Sequence, residues 1–157
     1  MNLTDTAINL VNALIDKQLT ISTAESCTGG MLGQYITDIS GSSATYMGGV
    51  ITYNNKLKQQ LLGVEGDTLK QYGAVSAQTA SQMVQGLLNN FNTNIAIATT
   101  GIAGPTGGND AKPVGLVYIC IAIKNNITIH KNIFTGNRQD IRQAATKKAF
   151  ELVLQEL

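Results

Sequence analysis

Three polar or glycine-rich turns each follow a stretch that reads as a strand: Ser26 to Gly30, Tyr53 to Lys58, and Thr100 to Gly108. In open α/β sheets, loops beyond the carboxyl ends of strands are where ligands bind. The first turn, Ser26-Cys27-Thr28-Gly29-Gly30, leads into a helical pattern. Its backbone N–H groups either cap that helix or hold a phosphate, a carboxylate or an oxyanion. It is neither a Walker A loop nor a GxGxxG. Lys58 stands four residues after Asn54, the expected cap of a short helix. The helix dipole and the neighbouring Lys56 both disfavour its charge, and desolvation would lower its pKa further. A lysine neutral near pH 7 serves as a general base where histidine is missing; an ordinary solvated lysine does not. Arg138 and Arg142 lie one helical turn apart at the start of the last helix, where each opposes the dipole by about 0.3–1 kcal/mol. A bound anion would offset that cost, and so would local pairing with Asp140.

Ser43, in Gly41-Ser42-Ser43, reads from spacing alone as a turn or cap residue. Cys27 is a rival nucleophile, because a thiolate at a helix N-terminus has a lowered pKa. It has no histidine partner, and a buried, inert Cys27 is the simpler reading. His130 is the only histidine, in an alternating stretch that suggests an edge strand. A zinc site centred on it is close to excluded, and a Ser-His-Asp triad would need His130 itself. Covalent chemistry here calls for another base.

The whole chain limits what these residues can serve. With 157 residues, one domain spanning 1–157 can bury a core without staples. Charged residues make up 13% and hydrophobic ones 43%, which excludes a disordered chain or a coiled coil. The net charge of +1 leaves no basic excess for gripping nucleic acid, and 5% aromatics give no stacking platform. Val114 to Ile123, the longest apolar stretch, is far short of the about 20 residues a membrane span needs. The polar start lacks a signal peptide's basic region, and two cysteines form neither a disulfide framework nor a metal cluster, so a cytoplasmic home is expected.

Elements that could position the turns follow from periodicity. Ile8, Val11, Leu14 and Ile15 predict a helix over about 4–17, and 19–24 alternates as a strand. A helical pattern then ends near Ile39, a strand covers 46–53, and Asn54 caps a helix through Leu62. Ser76 caps the next helix, with Val75 placed as a staple against Ala80. Asn94 to Thr99 reads as a buried strand, and the glycine-dense run from Gly101 to Gly108 as a shaped loop. Two β-rich runs joined by Lys124-Asn125-Asn126 predict a hairpin, and Asn137 caps a last helix. The sum is an α/β fold, a single-domain three-layer α/β/α arrangement with a mixed sheet.

Seven separated motifs in register carry a resemblance over about residues 3–155. They are Thr23-Ala24-Glu25-Ser26-Cys27-Thr28-Gly29-Gly30, Gly41-Ser42-Ser43, Thr52-Tyr53-Asn54-Asn55, Tyr72-Gly73-Ala74-Val75-Ser76, Gly101 to Gly108, Lys112-Pro113-Val114-Gly115 and Gly136-Asn137-Arg138. The chain resembles the nicotinamide-nucleotide amidase family, the domain at the C-terminus of the competence-damage-inducible protein CinA. That resemblance implies hydrolysis of the carboxamide of nicotinamide mononucleotide to nicotinic acid mononucleotide and ammonia, in pyridine-nucleotide salvage, with no metal or cofactor. It also implies a homodimer. Longer family members carry a further N-terminal domain whose activity does not transfer here. A serine and a lysine form the family's catalytic pair, which implies Ser43 and Lys58 supported by Tyr53, with Ser26 as the other candidate nucleophile. Ser26, Thr28, Gly29, Gly30, Thr100, Gly101, Arg138 and Arg142 would line the substrate pocket. Two other readings stand beside this one: an amidase for another small amide, and a non-catalytic nucleotide-binding or interaction module linked to competence.

Overall fold

The computed structural model describes residues 1–157. Elements follow the order α1 (Leu3–Asp16), β1 (Ile21–Glu25), α2 (Met31–Thr37), a 3-10 turn (Ser42–Ala44), β2 (Tyr46–Ile51), α3 (Asn55–Leu62), α4 (Gly66–Tyr72), α5 (Ala77–Phe91), β3 (Ile95–Gly101), β4 (Leu116–Ile123), β5 (Asn126–Ile133) and α6 (Arg138–Glu156). The strands form one sheet in the order β2-β1-β3-β4-β5. β2, β1 and β3 are parallel, while β4 and β5 run antiparallel as a hairpin. Helices cover both faces, so the three-layer mixed α/β expectation holds. No helix is long and apolar enough to cross a membrane.

Alternation along the strands sorts large side chains from small ones, because neighbours in a strand point to opposite faces. Ile95, Ile97, Ile119, Ile121 and Ile123 face α1, α2 and α6 in the larger core. Ala24, Ala96, Ala98, Cys120 and Ala122 face α5 and the end of α3. The small face lets α5 ride close to the sheet. At Gly86, in the middle of α5, an added Cβ would run into the Leu62 backbone carbonyl of α3. Gly86→Ala should therefore destabilise the fold by about 1–3 kcal/mol through overpacking, against the roughly 1 kcal/mol that alanine gains in helix propensity. A urea titration checks the sign.

Caps read from the sequence are in place: Asn54 accepts from the Lys56 amide, Ser76 from the Thr79 amide, and Asn137 forms a capping box with Asp140. Helix α2 stops at Thr37, short of the expected Ile39. Helix α4 had no counterpart among the predicted elements. Lys124 and Asn125 turn the hairpin with φ of 51° and 66°, the left-handed pair that a tight two-residue turn requires.

Candidate active site

Strand β1 lies between β2 and β3, and the chain leaves β1 toward one neighbour and β3 toward the other side of the sheet. This switch of direction opens a crevice at the carboxyl ends of the strands. An open cavity of about 260 Å³ sits there. Its lining includes Ser26 from the end of β1, Tyr53 and Lys58 from the β2–α3 turn, Thr100 and Gly101 from β3, and Arg138 from the start of α6.

Lys58 is the pivot. Only 1% of it is exposed. Its Nζ donates to Ser26 Oγ at 2.9 Å and to the Thr52 carbonyl at 2.7 Å. Burial lowers its pKa from the ordinary lysine value of 10.5, with Cys27 nearby acting in the opposite direction. The expected lowering is present, but its dominant cause is desolvation; Lys56 is exposed and faces solvent. No carboxylate pairs with Lys58, since the one salt bridge of the chain joins Lys147 to Glu151.

The serine at Lys58 is Ser26, which corrects the expected pairing with Ser43. Ser43 lies in the 3-10 turn before β2, at the amino end of the sheet, where the adjacent Thr45 hydroxyl bonds the Leu19 carbonyl. Ser26 lies past the carboxyl end of β1, and β1 and β2 run parallel. The length of a five-residue strand, about 17 Å at 3.3–3.4 Å per residue, separates the two ends. The signal was in the order of elements: a residue before a strand and a residue after its parallel neighbour cannot meet.

Glu25 is the residue that sequence reasoning missed. It is 2% exposed, and its carboxylate accepts from the Thr28 hydroxyl at 2.7 Å and from the amides of Gly30, Leu32 and Gly33 at 3.2, 2.9 and 3.1 Å. The turn after Ser26 was expected to offer amides to a ligand; the amides at the start of α2 are instead filled by the chain's own carboxylate. A carboxylate six residues before a helix was the available clue. Glu25→Gln replaces one acceptor oxygen by a donor facing an N–H or hydroxyl, so a loss of about 1–3 kcal/mol is expected in denaturant titration.

The remaining candidates divide. The Thr28 side chain is fully buried between Glu25 and Thr99 and turned from the cavity, so its expected part in binding falls to its backbone N–H and not to its hydroxyl. Gly29 and Gly30, at φ of 59° and 101°, shape the turn and do not line the cavity. Arg142 also stays outside it: its Nε and Nη2 donate to the carbonyls of Cys27 and Thr28. Arg138 reaches the rim, donating to the Gly104 carbonyl at 2.7 Å and to Tyr53 Oη at 2.9 Å. Asp140 is occupied by the capping box, so neither arginine pairs with it. Thr100 holds the Ala74 carbonyl at 2.7 Å. Cys27 is no rival nucleophile, because burial pushes its thiol up to about 12.

The family model described as the CinA C-terminal domain matches residues 3–157. The chain belongs to the CinA C-terminal domain family. It is 46% identical over 154 residues to a CinA-like protein from Syntrophomonas wolfei, covering 98% of this chain and 37% of that protein. A competence-damage inducible protein from Caldicellulosiruptor saccharolyticus is 48% identical over 144 residues, 92% of this chain and 35% of its own length. The chain thus spans about a third of the length of the curated relatives it matches. Among solved structures, the competence/damage inducible protein CihA from Agrobacterium tumefaciens superposes with a TM-score of 0.94 at 41% identity, covering 98% of this chain and 94% of that one. A CinA superfamily protein from Escherichia coli gives 0.95 at 31% identity, covering 99% and 91%. This CinA-family fold therefore recurs nearly unchanged across relatives of diverse sequence.

Proposed function

We propose that this CinA-family chain is an amidohydrolase that converts nicotinamide mononucleotide and water to nicotinic acid mononucleotide and ammonia, with Ser26 as nucleophile and Lys58 as base. The observation that carries the reading is the 2.9 Å contact between Ser26 Oγ and a buried Lys58 Nζ facing an open cavity. With the amine neutral, that contact lets the hydroxyl donate to the nitrogen lone pair. As Ser26 attacks the carboxamide carbon, its proton passes to Lys58. Lys58 then protonates the departing nitrogen, and ammonia leaves an acyl-serine. Water attacks that ester, its proton passes through Lys58 to Ser26, and the acid is released.

Arg138 supports the nucleotide part of the reading. Two of its N–H groups hold Tyr53 and Gly104, and a guanidinium has five, so three stay available at the cavity rim for a phosphate. The homodimer implied by the resemblance remains part of this proposal. The deciding experiment is ammonia release from nicotinamide mononucleotide by the purified chain with EDTA present. Turnover is expected. Binding of the nucleotide without turnover would favour the binding-module reading, and turnover of other amides alone would replace the substrate.

A further inference from the structure

Arg142 grips the Ser26 turn from behind. Its Nε donates to the Cys27 carbonyl at 3.1 Å and its Nη2 to the Thr28 carbonyl at 2.9 Å. No carboxylate pairs with this guanidinium, so its charge acts on those two peptide groups. The Cys27 carbonyl shares its peptide with the Thr28 N–H, and in a trans peptide the two point opposite ways. Holding the oxygen from behind turns that N–H away from Arg142, and a cation on the oxygen strengthens the N–H as a donor. The amides of Gly30, Leu32 and Gly33 are taken by Glu25, and that of Gly29 returns to the Ser26 carbonyl. Those of Cys27 and Thr28, directly after Ser26, donate to no other residue.

Resting on the acyl-transfer reading, we propose that Arg142 is a positioning residue that orients and polarises the Ser26–Thr28 turn, so that the Cys27 and Thr28 amides receive the oxyanion formed when Ser26 attacks. It does not bind the substrate. The expected signature is a loss in kcat with KM for nicotinamide mononucleotide little changed, the mark of an interaction made only in the transition state.

The test pairs ammonia-release kinetics with labelling of Ser26 by a fluorophosphonate. In labelling, the Ser26 oxygen–phosphorus bond forms, the phosphorus–fluorine bond breaks, fluoride leaves and Lys58 takes the serine proton. The phosphoryl oxygen then stands where the oxyanion would. Arg142→Met should lower kcat and the labelling rate together by about 10²-fold, with KM within about threefold. Arg142→Lys should recover part of both, and Arg138→Met should raise KM. An Arg142→Met variant that labels at the wild-type rate and raises KM overturns the proposal. Should circular dichroism show that variant unfolded, the same comparison is made with Arg142→Lys. Wild type that labels on Ser26 but releases no ammonia overturns the substrate reading while the labelling comparison still decides Arg142. Wild type that does not label on Ser26 overturns both.

Discussion

Ser26→Ala should reduce ammonia release from nicotinamide mononucleotide by on the order of 10⁴-fold or more, the scale on which removing an acyl-transfer nucleophile acts. Ser43→Ala should stay within about twofold of wild type, as surface substitutions away from a site do. The contrast is large because Lys58 can serve only one of the two serines, and its Nζ already touches Ser26 Oγ. Steady-state kinetics on the two variants, with matched circular dichroism, check it. Inactive Ser43→Ala beside active Ser26→Ala would reverse the assignment.

Replacing Lys58 should be nearly as damaging. Lys58→Met removes the base and is expected to cost about 10²–10⁴-fold in kcat; Lys58→Arg should not rescue it, because a guanidinium does not deprotonate. In wild type, kcat/KM should rise with pH along an acid limb whose midpoint lies below the ordinary 10.5, since burial lowers this pKa. Folding stability carries the same sign. Between the lowered native pKa and 10.5 the unfolded chain binds the more protons, so the Lys58 contribution to stability rises with pH across that window. Lys58→Met should flatten both slopes. An acid limb that persists in Lys58→Met with residual activity would assign it to another group.

Strongly periodic elements were legible in the sequence. The alternation of isoleucine with alanine or cysteine along β3 and β4, and the caps at Asn54, Ser76 and Asn137, are local signals that tertiary structure kept. Helix α4 was not legible: it has seven residues and buries only Thr68, so it carries no periodic apolar face. In the site, Lys58, Ser26, Tyr53, Thr100, Gly101 and Arg138 line one cavity. Ser43 misled because the resemblance was carried onto the Gly41-Ser42-Ser43 motif, while the parallel crossover sends that motif to the far end of the sheet. Glu25 escaped, and so did the grip of Arg142 on the turn, because each works on the backbone. Backbone partners 114 and 115 residues away, or hidden within a strand–turn, leave no trace in side-chain spacing.

The run of alanines on one face of the sheet has a reach beyond packing. Helix α5 settles close over that face, and α3 is lodged against α5 where Gly86 meets Leu62, one helical turn after Lys58. The gap between Ser26 and Lys58, which a proton would cross in the proposed reaction, is thereby set from below, by the thinnest side chains in the sheet. In the proposed reaction a single methyl group added beneath α3 would act as a shim, pressing on the helix that carries the lysine without touching anything the substrate meets.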